Sequence, residues 1–200
     1  TSMNLRSTIQ GCTSTLAAVL LATACNSGGT TTGATATVAV SQPISAGELH
    51  TCALKADSSV SCWGSNSKGQ LGVDTATTPT SFAPVNVSSL SNVVALAGGA
   101  SHTCAIKSNG QVVCWGSNSN GQLGVNPGAI TDTSSPQNVS GLTDARRLSA
   151  GDNHNCALRA DASVVCWGTG ATGQLGNGGN ADSFNPVTVT GLNNAMAVGV

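Results

Sequence analysis

The sequence repeats itself three times with a spacing of 52 residues. The copies read HTCALKADSSVSCWGSNSKGQLG from His50 to Gly72, HTCAIKSNGQVVCWGSNSNGQLG from His102 to Gly124, and HNCALRADASVVCWGTGATGQLG from His154 to Gly176. A fixed period of this size is typical of solenoids, propellers and other arrays, in which each unit buries its apolar face against the next. The period therefore limits the possible folds more than any other feature of the chain.

Each repeat contains signals for about four short strands and shows no helical period. An apolar run such as 93–97 opens the unit, and a hairpin follows in which 102–107 and 111–115 flank an Asn109-Gly110 turn. A glycine-rich loop ending in Gly-Gln-Leu-Gly comes next, and a stretch with Pro, Val and Leu closes the repeat. Four strands per unit predict that each repeat is one blade of an all-β propeller. We expect these blades over about 43–92, 93–144 and 145–194, followed by the first strand of a fourth.

The unit Gly-x-x-His-Thr-Cys-Ala, hairpin, Cys-Trp-Gly-x-Asn-x-x-Gly-Gln-Leu-Gly resembles the repeat of the regulator of chromosome condensation family, in the form with a cysteine pair that occurs in exported bacterial proteins. The resemblance covers about 43–200. It implies a β-propeller that is usually seven-bladed, of which the three repeats would be a part. Eukaryotic members include a guanine-nucleotide exchange factor that binds chromatin. The sequence also predicts an N-terminal secretory signal and a disulfide in each repeat, and it has no basic tail; these three features argue against that role here.

Residues 1–25 have the layout of a secretory signal peptide. Arg6 provides the positive start, and the apolar run 14–24 is too short to span a bilayer. The run ends in LATAC, which resembles a bacterial lipoprotein signal, so we expect Cys25 to be lipidated; an ordinary cleaved signal is the alternative. A Gly/Thr/Ser-rich linker follows over 26–42. We therefore expect an exported protein, either a cell-envelope lipoprotein that touches the membrane only through Cys25 or an extracellular protein.

Six cysteines form pairs that are ten residues apart, with one pair flanking each hairpin turn. Symmetric placement about a turn puts the two members opposite each other on adjacent antiparallel strands, near disulfide distance. Export favours pairing, and the alternative of a zinc site lacks the required two-to-four-residue spacing. We predict the disulfides Cys52–Cys62, Cys104–Cys114 and Cys156–Cys166.

Three further residue types recur in every repeat and are predicted to be scaffold. The histidine is expected to satisfy backbone groups at the start of a strand. The alternative is that the histidines of several blades bind one metal ion, but equivalent positions around a propeller ring are usually too far apart for that. The tryptophan is expected to pack between blades, with its N–H bonded, and a platform for a glycan is the alternative. The leucine of Gly-Gln-Leu-Gly is expected to plug the blade. These scaffold positions are His50, His102, His154, Trp63, Trp115, Trp167, Leu71, Leu123 and Leu175.

The loops after Gly-Gln-Leu-Gly differ among the three copies, although the preceding part of each repeat is closely similar. They cover 73–83, 125–135 and 177–185. Binding sites are often placed on variable loops of a rigid scaffold, although unconstrained loops also drift. The candidate binding residues in these loops are Phe82, Asp132 and Phe184.

No motif places a nucleophile beside a base, and the Gly-Gln-Leu-Gly loops lack the Lys-Ser/Thr of a phosphate loop. Only 8% of residues are charged and the net charge is -1, so no basic face for nucleic acid is evident. We therefore predict a non-enzymatic protein without metal, cofactor or nucleic-acid partner. It would bind an unidentified protein through one face, and a carbohydrate-binding module that uses the loops and the tryptophans is the alternative.

Overall fold

The computed structural model describes residues 43–200. The predicted signal peptide, the lipidation site Cys25 and the linker lie outside the described residues. Within 43–200 the protein has twelve β-strands, arranged as three four-stranded antiparallel sheets with one sheet per repeat. No helix in this range is long and apolar enough to cross a membrane.

Each sheet is one blade, and its strands pair in the order in which they occur in the chain. Blade 1 consists of β1 (Ile44–Ala46), β2 (His50–Leu54), β3 (Val60–Ser65) and β4 (Thr80–Asn86). Blade 2 consists of β5 (Val93–Gly98), β6 (His102–Lys107), β7 (Val112–Ser117) and β8 (Asp132–Asn138). Blade 3 consists of β9 (Ala145–Ala150), β10 (His154–Arg159), β11 (Val164–Gly168) and β12 (Ser183–Thr188). The predicted architecture of three four-stranded blades is confirmed.

The turn between the second and third strand of each blade uses side-chain caps. Asp57 and Asp161 each accept a hydrogen bond from a backbone N–H two residues later, at 3.0 Å, and Asn109 does the same at 3.1 Å. The next residue in each turn has a positive φ, which is 82° at Gly110 and 63° at Ser58. A short polar side chain that caps its own turn compensates for the absence of glycine in blades 1 and 3.

The outer strand of each blade, which is β4, β8 or β12, begins earlier in the chain than the sequence indicates. Thr80 already pairs with Ser65, and Asp132 pairs with Ser117, because a bulge lets the outer strand follow its neighbour to the end. The candidate residues Phe82, Asp132 and Phe184 therefore lie on strands, and their placement in loops is wrong. The outer strands also carry Pro84, Pro136 and Pro186, which limit further pairing at an exposed edge.

The core lies between neighbouring blades. One apolar cluster joins the disulfide and Leu71 of blade 1 to Leu96 and Trp115 of blade 2. The equivalent cluster joins blade 2 to Leu148 and Trp167 of blade 3. The leucine of each Gly-Gln-Leu-Gly is fully buried, as expected for a plug: Leu71, Leu123 and Leu175.

Residues 195–200, where we expected the first strand of a fourth repeat, contain no assigned strand. They nevertheless make two of the contacts that β5 makes with blade 1. Ala195 N donates to Ala162 O at 3.0 Å, and Val200 N donates to Ser149 Oγ at 3.1 Å. The segment follows the path of a first strand, but no hairpin strand lies beside it in 43–200 to form a ladder.

Candidate functional site

The three predicted disulfides are present, one in each blade. Lys55 N donates to Ser59 O, and alternation along the hairpin then places the cysteines at a non-hydrogen-bonded pair, where the two strands approach most closely. The paired Cα atoms are 4.0 to 4.1 Å apart. All six cysteines are buried, so solvent does not reach the bridges in the folded protein.

The histidines connect neighbouring blades. His50 Nε2 lies 2.8 Å from Thr103 Oγ1, and His102 Nε2 lies 2.9 Å from Asn155 Oδ1. In both cases the partner is the side chain that follows the next blade's histidine. The expectation that these imidazoles satisfy backbone groups is therefore wrong.

The partners fix the protonation state of the two imidazoles. Asn155 Oδ1 can only accept a hydrogen bond, and Thr103 Oγ1 uses its proton to donate to Gln70 O at 3.1 Å. His50 and His102 must therefore donate from Nε2, and in the neutral form Nδ1 is left as an acceptor without a partner among the described residues.

Burial keeps these histidines neutral. It is the main cause that lowers the pKa of His50 to about 4, and repulsion from His102 adds to it. Burial also lowers the pKa of His102 to about 4, with a smaller contribution from His154. His154, which is only partly buried, has its pKa lowered by the same desolvation. No group of three His, Cys, Asp or Glu in 43–200 is arranged to hold a metal ion.

The glycine three residues before each histidine provides space for the ring. A Cβ on Gly99 would collide with Cε1 of His102 and come within 2.6 Å of Gly151 O. Gly47 and Gly151 are in the same relation to their own histidines. The spacing Gly-x-x-His is thus a packing requirement of the blade junction.

The tryptophans bond to the Gly-Gln-Leu-Gly loop of the preceding blade. Trp115 Nε1 donates to Gln70 O at 2.9 Å, and Trp167 Nε1 donates to Gln122 O at 3.0 Å. Gln122 O also accepts from Asn155 Nδ2 at 2.8 Å, so one carbonyl joins two residues of the next blade. Both tryptophans are fully buried and offer no surface for a sugar ring.

Sequence reasoning did not find the role of the glutamines or of the residue after the histidine. Each glutamine folds back so that its Oε1 accepts from the backbone N–H two residues earlier, as Gln70 does from Lys68 N at 2.8 Å. This turn presents the main-chain carbonyl to the next blade. A polar Thr103 or Asn155 in an otherwise apolar strand was the available signal.

The three candidate binding residues do not form one site. Asp132 makes an ion pair with Lys68 of blade 1 at 3.1 Å. Phe184 lies against Gly121 of blade 2, where an added Cβ would be 2.7 Å from Phe184 Cβ. Phe82 occupies the equivalent position of blade 1 and is 99% exposed. Asp132 and Phe184 thus contribute to blade junctions, and Phe82 lies on the matching face of blade 1.

The fold and these junctions define a class of protein, a β-propeller whose blades are each closed by a disulfide. Two family models, both described as "Regulator of chromosome condensation (RCC1) repeat", match the chain. One covers 57–106, 109–158 and 161–200, and the other covers 40–70, 93–122 and 146–174. The chain therefore belongs to the regulator of chromosome condensation repeat family.

The known proteins that match this chain align with it over only part of their own length. The probable E3 ubiquitin-protein ligase HERC3 of Homo sapiens is 35% identical over 153 residues, which is 74% of this chain and 14% of that protein. Protein pim1 of Schizosaccharomyces pombe is 29% identical over 154 residues, 68% of this chain and 29% of that protein. This chain thus spans less than a third of either relative.

Solved structures share the fold. Yeast RCC1 (Prp20) bound to Kap60 matches with a TM-score of 0.66 at 23% identity, over 74% of this chain and 36% of that chain. Human WBSCR16 matches with a TM-score of 0.61 at 23% identity, over 72% of this chain and 36% of that chain.

Proposed function

We propose that this chain is the propeller part of an exported, non-catalytic protein that binds another protein at the cell surface or outside the cell. The observation that carries the proposal is the buried disulfide in every blade. Disulfides persist in oxidising compartments and are rare in the cytosol. The apolar segment that ends before Cys25 is consistent with the same route.

The use of the histidines supports a non-catalytic role. Acid–base chemistry near neutral pH depends mainly on histidine. His50 and His102 are buried, neutral and engaged at blade junctions, so they have no access to a substrate. The ligase relative shares only 14% of its length with this chain, so the similarity supports a common propeller and no activity is extended from it.

The variable part of the surface supports protein binding. Asn66 Nδ2 donates to the carbonyls of residues 73 and 78, and Asn118 Nδ2 does the same for residues 125 and 130. Two loops of different sequence are therefore held by the same pair of asparagine hydrogen bonds. Yeast Prp20p, which shares the fold, has binding properties to Gsp1p and histones. A second structure shows Prp20 bound to Kap60.

Because both loops are held by equivalent asparagine bonds, one loop can be exchanged for the other as a test. Residues 126–131 are replaced by the sequence of 74–79, which has the same length and already fits the asparagine bonds. The protein is displayed by its source cells, its neighbours are captured by chemical cross-linking, and they are identified by mass spectrometry. We expect a protein partner that cross-links to the original chain and does not cross-link to the exchanged chain. The free energy of unfolding in urea should be the same for both chains.

Two results would contradict the proposal. Free thiols at the six paired cysteines of protein isolated from its source would remove the argument for export. Glycan-array binding that disappears in Trp63→Ala or Phe82→Ala, without any captured protein, would favour the carbohydrate-binding alternative.

A further inference from the structure

Apart from Asp74, which lies in the β3–β4 connection, the charged residues of 43–200 lie on opposite faces of the blades. The hairpin face is the face formed by the β2–β3, β6–β7 and β10–β11 turns. The first strand of each following blade starts beside it, since Val93 N donates to Ser58 O and Ala145 N donates to Gly110 O, both at 3.0 Å. Five basic and three acidic residues lie there, which gives a net charge of +2: Lys55, Lys107, Arg146, Arg147, Arg159, Asp57, Asp144 and Asp161.

The opposite face is acidic. Glu48 and Asp152 lie in its turns, Asp132 and Asp182 lie at the starts of outer strands, and Lys68 is its one basic residue among those described. The described part of the chain thus has one positive face and one negative face.

Most charges of the hairpin face are already engaged. Lys55 Nζ donates to Asn86 Oδ1 at 3.0 Å, and Arg159 Nε donates to Asp144 Oδ1 at 2.9 Å. Asp57 and Asp161 accept hydrogen bonds from the serine of their own turns. These interactions engage the charged side chains of the β2–β3 and β10–β11 turns.

The middle turn differs from the other two. Its capping residue is the neutral Asn109, in the place that Asp57 and Asp161 hold elsewhere. Lys107 therefore has no carboxylate in its own turn, and its ammonium group makes no hydrogen bond or ion pair with the described residues. Arg146 likewise has no side-chain partner in 43–200, and it lies at a bulge of β9, where side chains are often re-aimed.

Lys107 and Arg146 line one groove of about 430 Å³ between blades 2 and 3. Val94 and Ile106 give it an aliphatic part, and the middle turn adds polar groups. Its single carboxylate, Asp144, is bound by Arg159. The groove thus combines two unpaired cations, hydrogen-bonding groups and an apolar surface.

We propose that this groove binds a carboxylate-bearing peptide segment of a partner protein. The inference rests on the proposed protein-binding function and names the chemistry of the partner. Two unpaired cations match one or two carboxylates, whereas a nucleic acid requires a much larger basic footprint. The apolar part of the groove is aliphatic, which suits an aliphatic side chain better than the aromatic stacking that sugar rings favour.

The probe is the fluorescein-labelled peptide Glu-Glu-Val-Glu-Glu, compared with Gln-Gln-Val-Gln-Gln, and binding to the full chain is measured by fluorescence anisotropy. We expect the acidic peptide to bind more tightly and to weaken with added salt. The double variant Lys107→Glu/Arg146→Glu should bind it about tenfold more weakly, because two exposed ion pairs become repulsions. Arg147→Glu is the matched control, since Arg147 is exposed on the same strand but does not line the groove.

Three outcomes would overturn the inference: equal binding of the two peptides, equal loss in Arg147→Glu and in the double variant, or preferential binding of a DNA oligonucleotide or of heparin. Should the double variant fold poorly, Lys107→Gln/Arg146→Gln removes the same charges without introducing repulsion. If the groove fails these tests while loop-dependent protein capture persists, only this inference falls.

Discussion

Lowering the pH from 7 to 4 is expected to destabilise the blade junctions, because His50 and His102 are buried and neutral. Both have a pKa of about 4 in the folded protein, against an ordinary value of 6.5. The unfolded chain takes up protons at these positions first as the pH falls. The stabilisation is therefore complete above pH 6.5 and is lost progressively down to about pH 4.

The size of the loss follows from the two pKa values. A tenfold change in proton affinity is worth about 1.36 kcal/mol, so each histidine should lower the free energy of unfolding by about 2 kcal/mol at pH 5 and about 3 kcal/mol at pH 4. At pH 4 the two together lower the free energy of unfolding by about 6 kcal/mol, which matches the low end of the 5–15 kcal/mol stability of a typical domain. The capping carboxylates Asp57 and Asp161 have pKa values below the ordinary 3.8, so their contribution is lost only at still lower pH.

The assay is urea unfolding of the protein, followed by tryptophan fluorescence at pH 7, 6, 5 and 4. The variant His102→Gln keeps an N–H donor for Asn155 but cannot be protonated. It should show about half the wild-type loss between pH 6.5 and 4. A wild-type free energy that stays flat over this range, or a His102→Gln variant with the wild-type slope, would refute the reasoning.

Three further changes test the junctions and bridges by the same urea assay. Trp115→Phe should cost about 1–2 kcal/mol, because it leaves a buried carbonyl with one donor fewer, whereas Trp63→Phe, which loses no hydrogen bond seen in 43–200, should cost less. Gly99→Ala should cost about 1–3 kcal/mol, since its methyl group meets the imidazole ring; wild-type stability would show that the ring can move aside. Removing one bridge in Cys104→Ala/Cys114→Ala should cost about 3 kcal/mol, and an unchanged unfolding midpoint would argue against that contribution.

The hairpins and their disulfides were predictable because their signals are local. The ten-residue cysteine spacing and the Asn109-Gly110 turn determine which residues face each other without reference to the rest of the fold. The outer strands were placed too late because their first residues, such as Thr80 and Asp132, are polar and pair through a bulge that no alternating pattern reveals.

The junction bonds and the charged groove were not predictable because they join residues of different blades. His102 bonds to Asn155, 53 residues away, and the sequence does not show which side of a blade faces its neighbour. The basic residues look scattered along the chain, yet the 52-residue period brings Lys55, Lys107 and Arg159 to equivalent points of one face.

The local disulfides also determine how such a chain would respond to mechanical force. Each bridge joins cysteines only ten positions apart, within a single blade. A blade pulled from its ends would release its loops and its first and outer strands, while the central hairpin would stay closed. At about 3.3–3.6 Å per extended residue, each bridge withholds roughly 30 Å of length. A pulled array of these blades would therefore lengthen in shortened steps, and it would keep in each blade a closed hairpin from which the sheet can re-form.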